Sequence, residues 1–407
     1  MRLHLISFIK RIIMYIRRKG WKSVSDYINN VPPKVDVFGF YSYIVDSTVI
    51  PLKVEEKKKH EDDKVKILNW IIPEAGVGSG GHIDIFRFAS NLENMGFHSR
   101  IYTQNPVMQS TDKKLRKFLF DNFEVLDKRI ECFAGTEKMA FAHATIATAW
   151  TTAYVLRNFN NTISKFYFVQ DFEPFFYAKG SEYQFSENTY MMNFRCITAG
   201  DWLKNKLEKE YGQRATSFSF SYDRSVYHPC QKKDEVNRIF FYARPVTPRR
   251  DFELGLLALE ELNKRVEDLQ VYFAGWDVDN YVIPFNHVNL GILPVTELSE
   301  IYAQCDMCFV ISATNLSLLP LEVMASNSVA VCTSGENSSW LVNDKNSIVI
   351  ENDPISIAEK LAYYFNHKDQ LEIIRKSGLE FANNTSWIAE AEKVKAALLK
   401  GIEEDAT

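Results

Sequence analysis

Short apolar segments that end in glycine or in small polar residues recur along this chain and limit the folds open to it. In the second half they are residues 238–243, 269–274, 288–290 and 307–311, each followed by a turn. Alternation of such strands with helical patterns predicts a parallel sheet. Because ligands bind beyond the carboxyl ends of parallel strands, we expect the binding residues in these turns. The sequence therefore predicts an α/β fold.

Residues 311–325, ISATNLSLLPLEVMA, carry the last of these strands into a turn and a helix. The helix is expected to open near Pro320, because the first helical turn has no partner for the N–H that proline lacks. Backbone N–H groups at such a turn suit a phosphate, whereas the carboxylate of Glu322 could accept hydrogen bonds from a ribose. The candidate ligand-binding residues here are Thr314, Asn315, Leu316, Ser317, Leu318 and Glu322.

The turn after residues 238–243 is rich in positive charge and is stiffened by Pro245 and Pro248. Arg244 and Arg249 lie five residues apart in this turn. Their guanidinium groups could converge on a diphosphate through charge-assisted bidentate hydrogen bonds. Further candidates in the next two turns are Gly275 and Leu293.

A glycine-rich loop, GVGSGG at residues 76–81, follows a β-branched strand at 65–72 and precedes a helix. Its glycines match the dinucleotide pattern GxGxxG, so binding of a dinucleotide is one alternative. Two features argue against it: three residues separate the strand from the first glycine, and the next strand, 100–104, ends without an acidic residue for a ribose. A simple helix-capping turn is the other alternative. The candidates here are Gly78, Gly80, Gly81 and His82.

The paired arginines, together with Glu322 in PLEVMA, resemble the donor half of the GT-B glycosyltransferases of family GT4. That family usually has two acids separated by seven residues, and here Thr314 stands at the first acidic position. Asn315 and Ser317 stand where the family has glycines. The stretches GVGSGGH, YFVQDFEPFFY and YARPVTPRR are similar to bacterial rhamnosyltransferases of surface-polysaccharide and S-layer glycan assembly, the WsaF-like enzymes.

The resemblance implies a GT-B fold, in which two Rossmann-like domains with parallel sheets face a central cleft. It places an acceptor-side domain at residues 61–230 and a donor-nucleotide domain at residues 231–385. Residues 386–407 would form a helix that crosses back to the first domain. Residues 1–60 would be a basic amphipathic segment with a charged connector. A length of 407 residues agrees with two domains.

The implied activity is transfer of a sugar, with dTDP-rhamnose as the expected donor, to a growing lipid-linked glycan. Retention of configuration is expected, without a metal or cofactor, with Arg244 and Arg249 stabilising the leaving diphosphate. The glycine loop would face the donor phosphates, with His82 as a neutral group whose pKa is lowered by the helix dipole. Asp171 stands where many members carry the Asp of a catalytic His-Asp pair. Alternatives are a GT-B nucleotide-sugar epimerase, a transferase for another hexose, and a non-catalytic module that binds nucleotide sugars or glycans.

Two other patterns could in principle bind a metal ion. Asp277 and Asp279 match a metal-binding Asp-x-Asp, but their loop is predicted to lie at the surface. Cys305 and Cys308 form a CxxC inside an apolar segment, and without a second pair nearby we expect buried structural thiols. The six scattered cysteines favour a reducing, cytoplasmic setting. The net charge of −4 provides no basic field for nucleic acid.

Residues 1–22 carry seven basic and no acidic side chains, with apolar residues at three- and four-residue spacing. Lys10 and Arg11 interrupt the apolar run, which argues against a signal peptide or a membrane span. The pattern predicts an interfacial helix that holds a cytoplasmic chain on anionic lipid at the inner face of the membrane. A helix packed on a partner subunit, as in a homodimer, is the alternative.

Overall fold

The computed structural model of the chain describes residues 35–406. It shows an α/β fold with two sheets of parallel strands, so the predicted fold class is confirmed. The helix predicted for residues 1–22 lies outside the described residues. Among the helices that the structure describes, none is long and apolar enough to cross a membrane.

The first sheet is built from the strand segments that precede residue 220. Their bounds are β1 Lys66–Ile72, β2 Phe97–Thr103, β3 Glu131–Ala134, β4 Ala142–Ala147, β5 Thr162–Val169, β6 Arg195–Ala199 and β7 Arg214–Phe218. In the described part of the chain these seven strands have the order β3-β2-β1-β4-β5-β6-β7. The associated helices are α1 Val37–Val45, α2 Val54–Lys59, α3 Gly80–Asn94, α4 Asp112–Asn122, α5 Trp150–Asn158, α6 Ser181–Asn188 and α7 Asp201–Tyr211.

The second sheet follows the pattern of apolar segments in the second half of the sequence. Its strands are β8 Arg238–Tyr242, β9 Gln270–Ala274, β10 His287–Gly291, β11 Met307–Val310, β12 Val329–Thr333 and β13 Ile348–Ile350. Within residues 35–406 these six strands have the order β10-β9-β8-β11-β12-β13. The helices are α8 Phe252–Asn263, α9 Val295–Ala303, α10 Leu319–Ala325, α11 Glu336–Ser339, α12 Pro354–Asn366, α13 Lys368–Asn383 and α14 Trp387–Ala406.

The strand order of the second sheet reverses between β8 and β11. The chain adds β9 and β10 on one side of β8 and then returns to place β11 on the other side. In open α/β sheets, ligands bind at such a reversal, beyond the carboxyl ends of the two strands. The turn after β8, residues 244–250, and the turn after β11, residues 312–318, therefore lie at the expected binding edge. We call them the arginine turn and the Thr314 turn.

The described residues divide into two compact units. The first contains the chain up to Phe168, Asn188–Arg195 and the residues from Leu398 onward. The second contains Val169–Glu187 and Cys196–Ala397. The turn that follows β5, including Gln170 and Asp171, therefore belongs to the same unit as the arginine turn.

Aromatic side chains fill the core of the second unit. Phe241 on β8 lies between Phe273 on β9, at 5.8 Å between ring centroids, and Phe309 on β11, at 5.3 Å. A Cβ added to Gly255 on α8 would lie 2.2 Å from the Phe241 ring. This close approach of α8 to the sheet fixes the position of the arginine turn, which connects β8 to α8.

Candidate functional site

Arg244 and Gly275 follow the neighbouring strands β8 and β9. The Arg244 guanidinium donates from Nη1 to the Gly275 carbonyl oxygen at 3.4 Å. Gly275 has a φ of +101°, and an added Cβ would lie 2.7 Å from the Tyr242 ring and 3.0 Å from the Ala243 carbonyl oxygen. Both the backbone angle and the space require glycine here. The sheet thus brings these two predicted site residues together.

Arg249 links the arginine turn to two other turns. Its guanidinium carbon lies 4.2 Å from the ring centroid of Phe176, a cation–π contact. Its Nε lies 3.9 Å from a carboxylate oxygen of Asp171. Its carbonyl oxygen accepts a hydrogen bond from the Ala313 N–H at 2.9 Å, so the arginine turn and the Thr314 turn are directly bonded.

Arg250 is a member of this group that the sequence analysis did not select. Its Nη1 is buried and has no hydrogen-bond partner among the described residues, and the same holds for Nε of Arg249. Burial, followed by the like charge of Arg249, lowers the pKa of Arg250. A buried cation with unpaired donors is unfavourable, so this position favours an anion as its partner. What distinguishes Arg250 is the burial of its Nη1, which the spacing of residues in the sequence does not reveal.

Asp171 is an acceptor for the Thr314 turn. Its carboxylate accepts hydrogen bonds from the Thr314 hydroxyl at 2.7 Å and from the N–H groups of Asn315, at 3.0 Å, and Phe172, at 2.8 Å. Burial raises the pKa of Asp171, and the hydrogen bonds from Asn315 and Thr314 oppose that rise. Because both oxygens are engaged, this carboxylate fixes the position of the turn.

Asn315 joins four segments of the second unit through its buried amide. Its Nδ2 donates to the carbonyl oxygens of Gln170 at 2.8 Å and Ala199 at 2.9 Å. Its Oδ1 accepts from Trp340 Nε1 at 2.9 Å and from the Leu316 N–H at 3.0 Å. These bonds use both donors and both acceptor positions of the amide. Asn315 stays a predicted ligand contact, and in the structure its side-chain amide holds the turn.

The other candidates of these turns differ in exposure. Leu316 is buried, whereas Ser317, Leu318 and Leu293 are half-buried. The Ser317 hydroxyl accepts a hydrogen bond from the Leu319 N–H at 3.4 Å. Leu293 lies between β10 and α9.

Glu322 lies in the first turn of α10, as predicted. The hydroxyl of Tyr227 hydrogen-bonds to its carboxylate, and the Tyr227 ring stacks on Tyr302 at 6.4 Å between centroids. Burial and the charge of Glu322 raise the pKa of Tyr227, so the phenol remains a neutral donor. Tyr227 was not predicted as a site residue, because it lies outside any strand or helix pattern.

The glycine loop and His82 belong to the first unit. Gly78 has a φ of +74°, and Cβ atoms added at Gly78 or Gly80 would meet nothing within 4 Å. His82 Nε2 lies 3.1 Å from the Pro73 carbonyl oxygen and Nδ1 lies 2.8 Å from the Ser79 hydroxyl. A carbonyl only accepts, so Nε2 carries the proton and Nδ1 accepts from Ser79. The pKa of His82 is lowered, and burial is the cause. Gly81 is exposed in the first turn of α3.

The two candidate metal-binding patterns lie in different surroundings, one at the surface and one in the core. Asp277 and Asp279 are exposed, as predicted, and both accept hydrogen bonds from Asn289 Nδ2, at 2.8 and 2.6 Å. Cys305 and Cys308 are buried, and burial raises the pKa of both thiols. Among residues 35–406 no group of three or more His, Cys, Asp or Glu side chains could hold a metal ion.

Two family models match this chain. The model described as the N-terminal domain of WsaF matches residues 82–199, and the model described as its C-terminal domain matches residues 237–362. The O-antigen biosynthesis protein RfbC of Myxococcus xanthus is 30% identical over 349 residues, which are 83% of this chain. The chain spans 27% of the length of that relative.

Solved glycosyltransferase structures share the fold at low sequence identity. TarM of S. aureus superposes with a TM-score of 0.67 at 10% identity, over 82% of this chain and 98% of its own. Sucrose-phosphate synthase of Thermosynechococcus elongatus gives 0.62 at 12% identity, over 82% and 99%. HepE of Anabaena, solved with UDP and glucose, gives 0.61 at 11% identity, over 82% and 99%.

Three findings identify the same family. They are the fold, the arginine turn beside the strand reversal, and the two matched domains. The predicted GT-B architecture and the resemblance to WsaF-like enzymes are confirmed. The chain belongs to the WsaF family of GT-B glycosyltransferases.

Proposed function

We propose that this chain is a glycosyltransferase that moves a sugar from a nucleoside-diphosphate donor to a growing cell-surface glycan. Family membership supports the reaction class. The name of the Myxococcus xanthus relative, an O-antigen biosynthesis protein, supports the class of acceptor. The observation that carries the proposal is the pair of buried guanidinium nitrogens in the arginine turn, which lack hydrogen-bond partners among the described residues.

Arg244, Arg249 and Arg250 would bind the diphosphate of the donor. Phosphate oxygens would satisfy the unpaired N–H groups of Arg249 and Arg250 through charge-assisted hydrogen bonds. During transfer, negative charge builds on the leaving diphosphate, and guanidinium groups already in position stabilise it. Because these side chains supply the positive charge, we propose transfer without a metal or a cofactor.

The carboxylates of the second unit would serve binding and not covalent chemistry. Asp171 would be a positioning residue, because both of its oxygens accept hydrogen bonds from neighbouring groups. Glu322, with its carboxylate hydrogen-bonded to Tyr227, would bind the ribose hydroxyls of the donor. Retention, with the leaving phosphate taking the acceptor proton, needs no carboxylate nucleophile and fits these roles.

The finer parts of the proposal rest on the resemblance to bacterial rhamnosyltransferases. We infer dTDP-rhamnose as the donor and a lipid-linked oligosaccharide as the acceptor. Gly78, Gly80, Gly81 and His82 stay predicted contacts of the donor phosphates. Residues 1–22 are proposed to hold the chain on the anionic inner face of the cell membrane, and a homodimer contact is the alternative role for them.

Substitution of the arginines tests the proposal. Arg244→Ala or Arg250→Ala should weaken dTDP binding in a thermal-shift titration and lower turnover of dTDP-rhamnose by about 10²-fold or more. Arg265→Ala is the matched control, since Arg265 pairs with Glu261 on α8 at 2.8 Å, away from the turns. The control should behave as the wild type. Activity should also persist in EDTA.

Three results would contradict parts of this proposal. Wild-type nucleotide affinity in both Arg244→Ala and Arg250→Ala would remove the diphosphate site. Nucleotide binding with no hydrolysis of any donor would favour a binding module. Loss of activity in EDTA with recovery in Mg²⁺ or Mn²⁺ would show that a cation shares the work of the arginines.

A further inference from the structure

Helix α1 carries an apolar face that is exposed in the described part of the chain. Val37, Phe38 and Val45 fall within about 100° of arc when 100° is allowed per residue. Their exposed fractions are 51%, 90% and 81%, and Val35, just before the helix, is 78% exposed. Single exposed apolar residues are ordinary, but a contiguous cluster marks an interaction site. We call Val35, Val37, Phe38 and Val45 the α1 face.

The opposite side of α1 is attached to the first unit. The Tyr43 ring packs against those of Trp150, at 6.2 Å, and Tyr154, at 6.0 Å between centroids. Arg157 Nη2 donates to the Asp46 carbonyl oxygen at 2.7 Å, just after the helix. These contacts hold the helix at a fixed rotation, so the exposure of the α1 face is built into the packing and is not a result of fraying.

The start of α1 is also well defined. The Asp36 carboxylate accepts a hydrogen bond from the Gly39 N–H at 2.7 Å, which caps the helix. No residue of Val37–Val45 is charged. A capped, uncharged, aromatic-bearing helix on the surface has the composition expected at the boundary between lipid head groups and acyl chains.

Charge identifies the surface that would cover the α1 face. Residues 1–22 precede α1 in the sequence and carry seven basic and no acidic side chains. An anionic bilayer offers both negative head groups for such a segment and an apolar boundary for Phe38 and its neighbours. An anionic bilayer could therefore bind both residues 1–22 and the α1 face.

We propose that the α1 face inserts into the interface of an anionic membrane, with Phe38 as its main apolar contact. The inference adds a folded, apolar contact to the electrostatic role proposed for residues 1–22. It does not depend on the donor chemistry, because α1 belongs to the first unit and the arginine turn to the second.

Vesicle binding by the full-length chain tests this inference. Phe38→Ser should lower the partition coefficient on vesicles of phosphatidylcholine and phosphatidylglycerol by about tenfold, as expected for removing one buried Phe side chain. Phe38→Trp should keep or raise it, because Trp favours the interface. Val282→Ser is the control, since Val282 is 97% exposed and lies in the other unit.

Salt separates the electrostatic contribution of residues 1–22 from the apolar contribution of Phe38. Added NaCl should weaken binding of the wild type and of Phe38→Ser by similar factors, because only the charge contribution is screened. The nucleotide-induced thermal shift should be the same in both proteins, which shows that Phe38→Ser folds.

Three outcomes would overturn the inference: equal partition of Phe38→Ser and the wild type, no binding of the wild type to anionic vesicles, or a wild-type dimer that Phe38→Ser converts to monomer without changing vesicle binding. The last outcome would identify the α1 face as a contact between two copies of the chain.

Discussion

The loop after β1 and the turn after β11 both follow a central strand of a parallel sheet, but they are held in different ways. In the first, Glu74 accepts hydrogen bonds from the N–H groups of residues 107–109, His82 bonds to Ser79 and Pro73, and the space around Gly78 is open. In the second, Asn315 bonds to residues as far away as Gln170. Around its glycines the first loop has room for added side-chain atoms, whereas the second turn is closed by hydrogen bonds from Asn315 to distant segments.

The largest effect is expected at Asn315. Asn315→Leu leaves the carbonyl oxygens of Gln170 and Ala199 and the indole N–H of Trp340 without their partner in a buried region. Each unpaired group costs about 1–3 kcal/mol, so a loss of about 4 kcal/mol in the free energy of unfolding is expected. Urea denaturation followed by circular dichroism measures it.

Asn289→Leu serves as the control, because Asn289 also donates to two oxygens, those of Asp277 and Asp279, but at the surface. Its expected cost is below about 1 kcal/mol. Equal losses in both variants would mean that the Thr314 turn is no more tightly assembled than an exposed loop.

A glycine pair extends the comparison to the turn after β9, which begins with Gly275. Gly275→Ala combines a φ of +101° with a Cβ only 3.0 Å from a backbone oxygen, whereas Gly78→Ala meets a φ of +74° in open space. We expect losses of about 3 and about 1 kcal/mol in unfolding free energy. Thermal unfolding of both variants checks the ranking, and a larger loss at Gly78 would show that the glycine loop is less tolerant of an added Cβ than the turn after β9.

The smallest effect concerns pH. Burial lowers the pKa of His82 in the folded state below its ordinary value of 6.5. The unfolded chain therefore binds more protons below pH 6.5, so stability is complete above that pH and falls as the pH drops below it. His82→Gln should reduce the loss of unfolding free energy between pH 7.5 and 5.5 by about 1 kcal/mol.

Chemical denaturation at those two pH values measures this difference. Burial also lowers the pKa of His143, so part of the pH dependence should persist in His82→Gln. An unchanged pH dependence in His82→Gln would show that burial does not keep the His82 ring neutral.

The strands of the second sheet were predictable, because their apolar runs and terminal glycines are local signals. Residues 269–274 and 307–311 were predicted within one residue of β9 and β11. The start of α10 and the place of Glu322 in its first turn were predictable for the same reason. The helix predicted for residues 386–407 corresponds to α14, Trp387–Ala406.

The site was predictable only as a set of turns. Asp171 was selected by its position after β5, but its hydrogen bonds to Thr314 and Asn315 join segments far apart in sequence. The buried Nη1 of Arg250, without a hydrogen-bond partner among the described residues, is a property of the folded unit that no spacing rule reports. Long-range contacts and burial are properties of the folded unit. Residue type and spacing therefore identified the turns, but not which groups each side chain contacts.

The contact between Asp171 and Thr314 also determines what an acid at position 314 would meet in this chain. An acid at position 314, which the wider family favours, would place a second carboxylate within hydrogen-bond distance of the first. Two such groups cannot both ionise without a large cost. In this chain an acid at 314 would therefore have to share a proton with Asp171, or a cation would have to lie between the two carboxylates.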